Sequence, residues 1–232
     1  MQPTSNAATN IPERLPRLTW QRRAARRIIL WLDRLIVALL INLEIEGVKN
    51  IPDDGPLIVV ANHLAGADLV VAAAISPWSV EVMIKAALRN MPIVGWLLKL
   101  YGPIWVEPFT ADRAAIRASL ASLEERRVLV VAPEGRESHT GALEAGTAGA
   151  AFIALRSGAP ILPLGIAGTE LVLPTLRKLR RPLVQLNIGE AFQLEQTGER
   201  RTDINKGKLE IMKRLAALLP HKYRGVYADG GT

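Results

Sequence analysis

The most constraining feature of this chain is a set of short, unbroken aliphatic runs separated by segments of helical period. Leu57–Ala61 reads LIVVA and Val128–Ala132 reads VLVVA, with no polar residue at alternate positions. A strand with one face in water alternates polar and apolar residues, whereas a strand covered on both faces does not. Glu81–Ile84, Ile104–Val106, Ile161–Ile166 and Leu183–Ile188 also read as strands. Asp68–Ile75, Ile93–Tyr101, Asp112–Arg126, Leu143–Ser157 and Asp203–Leu218 read as helices. This order predicts an α/β fold with a mainly parallel central sheet flanked by helices. The 232 residues suit one domain, and no repeat or low-complexity linker divides them.

Ahead of this pattern lies an N-terminal extension. Residues 1–19 are rich in Pro, Asn, Thr and Ala without a period, as in a mobile arm. From Trp20 to Leu43 the period is helical, as one helix or two. Arg22, Arg23, Arg26, Arg27, Asp33 and Arg34 share one side; Ile28, Trp31, Leu32, Leu35, Ile36, Leu39 and Leu43 share the other. Two readings stand: a helix packed on the core, or an interfacial helix with Arg at headgroups and Trp/Leu/Ile among acyl chains. Residues 1–34 hold seven arginines against Glu13 and Asp33, and residues 177–232 hold twelve basic against six acidic residues. Basic ends point to an anionic partner: lipid headgroups, an acidic carrier protein or nucleic acid. Aromatics are only 5%, with no stacking motif among the basic residues, which argues against nucleic acid. Charges interrupt every apolar stretch before the roughly 20 residues of a spanning helix.

In an open α/β sheet, sites form beyond the carboxyl ends of the strands. LIVVA is followed by Asn62-His63-Leu-Ala-Gly-Ala-Asp68, and VLVVA by Pro133-Glu134-Gly135-Arg136-Glu137-Ser138. Glu107-Pro108 follows the third run, and Gly168-Thr169-Glu170 closes the block after ILPLGI. A turn containing Gly66 can return Asp68 to His63, and an Asp on one ring nitrogen raises the basicity of the other. The competing reading of Asp68 is a cap of the following helix. The chain has no Cys and no G-x-S-x-G elbow, so a His–Asp dyad would deprotonate a hydroxyl of the substrate itself. Arg136 offers an anion partner, and Gly135 lets backbone approach a ligand. The three histidines are too scattered to suggest a metal-ligand pair.

Asn62-His63-x4-Asp68, followed by Pro133-Glu134-Gly135, resembles the glycerolipid acyltransferases, the 1-acylglycerol-3-phosphate (lysophosphatidic acid) acyltransferases and their relatives. The likeness runs from about Gly47 to Asn187, including Lys85, the Pro92–Gly95–Trp96 stretch and Pro163. The segment 20–43 is similar to the family's membrane-docking helical pair. The resemblance implies direct acyl transfer from a thioester, acyl-CoA or acyl-carrier protein, to a lysophospholipid hydroxyl. His63 would be the base and Asp68 its orienting partner. Asn62, Glu134, Gly135 and Arg136 would contribute to the acceptor site, and Lys85 would help to hold the tetrahedral intermediate. No metal or other cofactor is implied. The expected organisation is an arm over 1–19, docking helices over 20–46, an acyltransferase domain over 47–220 and a tail over 221–232. The expected location is peripheral (monotopic), at the cytoplasmic face of a membrane.

Three positions depart from the family pattern. The arginine expected at the end of its second motif is Pro108; the third motif moves its arginine to Arg136, ahead of Glu137; and a downstream lysine becomes Thr147. The lost phosphate partners leave the acceptor open. Lysophosphatidic acid is the first expectation and a lyso-aminolipid, glycolipid or inositol lipid the alternative. Arg113, Arg136 or an arginine of the N-terminal helix is a candidate replacement. A non-catalytic lipid-binding module is the reading from another class.

Overall fold

The computed structural model describes residue 15, residues 17–107 and residues 112–228. Most of the arm expected over 1–19, and Pro108, therefore lie outside the described residues. In chain order the elements are α1 (Trp20–Leu40), β1 (Asn42–Glu46), β2 (Leu57–Ala61), α2 (Ala67–Ile75), β3 (Glu81–Lys85), α3 (Pro92–Tyr101), β4 (Ile104–Val106), α4 (Arg113–Glu124), β5 (Val128–Val131), α5 (Ala148–Ser157), β6 (Ile161–Ala167), α6 (Val172–Leu176), β7 (Leu183–Ile188) and α7 (Arg200–Leu218). The seven strands form one sheet in the order β1-β7-β6-β2-β5-β3-β4. Every neighbouring pair is parallel except β6 with β7.

LIVVA is buried at all five positions because its alternate residues enter two different cores. Ile58 and Val60 face Ala118, Ile153 and Leu215 of α4, α5 and α7. Leu57, Val59 and Ala61 face Val37, Val71 and Tyr101 of α1, α2 and α3. The predicted two-sided covering is what the structure has.

Two boundaries differ from the sequence reading. The helical segment expected over 20–46 is one helix ending at Leu40, and residues 42–46 pair with β7 as an edge strand. Asn42-Leu-Glu-Ile-Glu alternates with period two, but Leu43 also continues the helical apolar face, which conceals the switch. The helix expected from Leu143 begins at Ala148. Its preceding amides are bonded elsewhere: Leu143 N to Tyr223 O at 2.9 Å and Thr147 N to Pro133 O at 2.7 Å. The expected tail is anchored through 228, with Tyr223 buried.

The seating of α1 corrects the simplest view of an amphipathic helix. The apolar side read from the sequence faces away from the domain, and α1 is seated instead on a stripe of buried Arg26, Leu30 and Val37, with Arg23, Arg27 and Arg34 exposed. Arg26, which the sequence places on the cationic side, is only 1% exposed. Its guanidinium reaches both oxygens of Glu81 at 2.7 and 2.9 Å and the carbonyls of Tyr101 and Gly102 at 2.9 and 3.1 Å. Arg34 donates to the carbonyls of Ala74 and Ser76. Ile28, Trp31, Leu32, Leu35, Ile36 and Leu39 face outward, with Trp31 63% exposed. Neighbouring α3 exposes Ile93, Val94, Trp96, Leu97 and Leu100, so the two helices present one apolar surface.

Candidate active site

His63 and Asp68 meet as the motif predicts. β2 ends at Ala61, and a turn brings the first turn of α2 back against the ring. His63 Nδ1 lies 2.8 Å from Asp68 Oδ2; a carboxylate only accepts, so the ring nitrogen donates. The same oxygen accepts the amides of Leu64 at 2.6 Å and Ala65 at 2.9 Å, which closes the turn. Asp68 Oδ1 accepts the hydroxyl of Thr169. Four donors thus fix one 5%-exposed carboxylate. Asp68 closes the turn and partners His63, but it does not cap α2, whose N-cap is Gly66 without a side-chain bond.

His63 is half-buried, and Nε2 has no protein partner among the described residues. The Asp68 hydrogen bond holds the imidazole pKa above its ordinary value, against the opposing effect of burial, with the charges of Asp68, Glu137 and Glu134 adding to the rise. The site can therefore accept a proton at Nε2 from a group entering from solvent.

The loop after β5 forms the facing wall. Ser138 N donates to His63 O at 2.7 Å and joins the two motif loops. Gly135 has φ +76°, a left-handed conformation that suits glycine. Glu134 is 5% exposed, yet neither carboxylate oxygen has a hydrogen-bond partner. Burial pushes its pKa up to about 7, although the nearby backbone amides of Glu144 and His63 oppose the rise. Arg136 pairs with Glu144, and Thr147 donates to Pro133 O at 2.9 Å.

The remaining expected residues fall differently. Asn62 uses its amide on the Ile166 backbone, donating to O and accepting from N, both at 2.8 Å. It braces β2 to β6 from a buried position, which corrects its expected place among groups open to substrate. Lys85 is exposed at the carboxyl end of β3, two strand positions from β2, or about 10 Å away. Arg113 begins α4.

Thr169 joins this cluster through Asp68, a contact that sequence reasoning did not assign. The Gly168-Thr169-Glu170 group was legible as a polar turn after β6, but its pairing with Asp68 spans 101 positions and is set by the sheet order. Gly168 permits the approach: its φ is +91°, and a Cβ there would lie 2.5 Å from Leu183 O.

The fold and this edge define an α/β domain with a His–Asp dyad and a buried carboxylate at the carboxyl ends of parallel strands. The Acyltransferase family model matches residues 42–167, more than half of the chain, and the chain belongs to that family. A lyso-ornithine lipid O-acyltransferase of Pseudomonas aeruginosa is 28% identical over 162 residues, 69% of this chain and 61% of that protein. A chloroplastic 1-acyl-sn-glycerol-3-phosphate acyltransferase of Brassica napus is 24% identical over 57% of this chain and 39% of its own length. The chain thus spans less than two thirds of either curated relative. The crystal structure of the lysophosphatidic acid acyltransferase PlsC of Thermotoga maritima superposes with a TM-score of 0.62 at 26% identity, covering 84% of this chain and 83% of that one. The family match begins where β1 begins and ends with β6, just before Thr169.

Proposed function

We propose that this protein is a membrane-docked O-acyltransferase that moves a fatty acyl group from a thioester to the hydroxyl of a lysophospholipid. The 2.8 Å His63–Asp68 contact, which leaves Nε2 without a partner among the described residues, carries this reading. His63 Nε2 takes the acceptor's proton as its oxygen attacks the thioester carbonyl. The C–S bond breaks, and the departing sulfur takes the proton back from the imidazolium. Asp68 holds the ring and balances its charge during the transfer. Acyl-CoA or acyl-carrier protein is the donor. The apolar surface of α1 and α3 lies in the interfacial layer of the cytoplasmic leaflet, where such donors reach the site. Among the described residues no helix is long and apolar enough to cross a membrane.

The named relatives favour 1-acylglycerol-3-phosphate as acceptor, with phosphatidic acid as product. A specific observation supports a second reading. The wall around His63 carries Glu134, Glu137 and Glu144, and Arg136 is already paired. Such a wall suits an amine-bearing headgroup better than a phosphate, in keeping with the name of the Pseudomonas relative.

Thiol release from a long-chain acyl-CoA, with lysophosphatidic acid or a lyso-aminolipid as acceptor, separates these readings. His63→Ala should lower the rate by roughly 10²- to 10⁴-fold with the fold intact. Turnover retained in that variant would remove His63 as the base. Liposome binding with neither donor consumed would favour the binding module.

A further inference from the structure

A cavity of about 490 Å³ lies at the start of α1, lined by Arg17, Arg23, Arg26, Arg27 and Arg127 with Glu125 beside them. Its elements place it away from the dyad. Ser79 and Arg127 precede β3 and β5, whereas His63 and Glu134 follow β2 and β5, so the cavity opens at the opposite edge of the sheet.

The arginines divide into two groups. Arg26 and Arg127 are held by buried Glu81, and Arg127 also reaches Glu125. Arg17, Arg23 and Arg27 have no carboxylate partner among the described residues. Arg23 and Arg27 stand one turn apart on the same helix face, and Arg23 Nε is oriented by Leu18 O at 3.2 Å. Nearby Arg22 is held below the ordinary arginine pKa by burial and by the charge of Arg26. Positive charge is thus concentrated beyond what the local carboxylates neutralise. Guanidinium groups grip phosphate oxygens in pairs.

The neighbouring surface indicates which phosphate. Arg27 adjoins Ile28 and lies one turn from Trp31, both exposed, and Trp20 at the same end of the helix is 75% exposed. A charged basin directly beside an outward apolar face fits a molecule with an anionic head and hydrocarbon chains.

We propose that this basin docks the phosphate headgroup of an anionic bilayer lipid, whose acyl chains lie against α1. The inference rests on the membrane reading above and adds a discrete headgroup site remote from catalysis. It differs from diffuse attraction of basic residues to a charged surface, because the basin residues should matter more than equal charge removed elsewhere.

Sedimentation with vesicles of phosphatidylcholine alone, or mixed with phosphatidylglycerol, tests it. The protein should prefer mixed vesicles by about tenfold or more. Arg23→Gln with Arg27→Gln should abolish most of that preference, and Arg17→Gln with Arg27→Gln provides a second pair should the first disturb folding. Lys178→Gln with Arg180→Gln, of equal charge and outside the cavity, should keep it. Because the basin lies at the sheet edge opposite His63, its arginines do not meet the acceptor at the dyad, and turnover of detergent-dispersed substrate should be unchanged in the basin variants. Equal loss of preference in basin and control variants would overturn the discrete site. A thermal shift with inorganic phosphate that needs Arg23 and Arg27, without vesicle selectivity, would reassign the basin to a soluble phosphate. Vesicle binding without headgroup preference breaks this inference alone, whereas absence of all vesicle binding breaks the docking reading beneath it.

Discussion

Glu81 and Glu134 are both buried carboxylates on neighbouring strands, one opening β3 and the other just past the end of β5. Glu81 is 0% exposed and receives two bonds from Arg26 and one from Arg127. Glu134 is 5% exposed and receives none. A buried charge that is fully bonded holds structure together, while an unbonded one leaves a group available for something absent from the protein. Glu81 at the amino edge is therefore built into the fold, whereas Glu134 at the carboxyl edge is left available. Asp68 stands between them in character: its four donors include His63, the proposed base.

The largest effect should come from breaking the satisfied carboxylate. Arg26→Ala leaves Glu81 buried with one cationic partner and unties α1 from the carbonyls of Tyr101 and Gly102. A loss of about 3 kcal/mol in urea unfolding is expected, as for a buried pair deprived of one member. Arg26→Met combined with Glu81→Leu should recover part of it, because the buried pair is removed together and Arg127 keeps its pairing with Glu125. A single-variant loss below about 0.5 kcal/mol, the scale of a surface pair, would erase the contrast between the two edges.

Glu134→Gln should act in the opposite direction. The folded carboxyl has a pKa of about 7 against an ordinary 4.5, so the folded chain binds this proton more tightly than the unfolded chain. The sign follows from linkage: stability is greatest below about 4.5 and declines as the pH rises toward about 7. The glutamine variant removes that decline, so it should exceed the parent by about 2 kcal/mol at pH 8 and little at pH 4, after allowing for solvent screening. Its acceptor KM should rise if Glu134 meets the acceptor. A stability difference that does not vary with pH would show that Glu134 is not strained by burial.

These contrasts were unevenly legible in the sequence. The apolar runs disclosed the two-sided sheet because their burial pattern is local, and His63–Asp68 was visible because both residues belong to one turn. The seating of α1 was not. Periodicity separates two faces of a helix but does not say which stripe meets the domain, and here buried Glu81, supplied by a distant strand, draws Arg26 inward beside Leu30 and Val37. The expectation that Asn62 serves the substrate failed for a related reason: its partner, the Ile166 backbone, lies 104 positions away. Edge strand β1 is five residues long, with most positions exposed, so no buried face marked it.

Thr169 gives the finest test of how far the satisfied state of Asp68 matters to catalysis. Its hydroxyl is the donor on Oδ1, while His63 and two turn amides occupy Oδ2. Thr169→Val keeps the branched shape and removes the donor, so Asp68 can rotate away from the imidazole. A hydrogen bond to a charged group is worth enough to predict a fall of about tenfold in kcat with little change in acceptor KM. The pH profile supplies a readout that packing alone would not move. His63 must be neutral to accept a proton, so the rate should climb through an imidazole pKa lying above the ordinary 6.5. Weakening the Asp68 bond lowers that pKa and shifts the rising limb toward acid. Thr169→Ser restores the donor and should restore both the rate and the limb. If valine slows the reaction but leaves the limb in place, and serine does not rescue it, Thr169 merely fills space. The positioning of Asp68 would then rest on the turn amides alone.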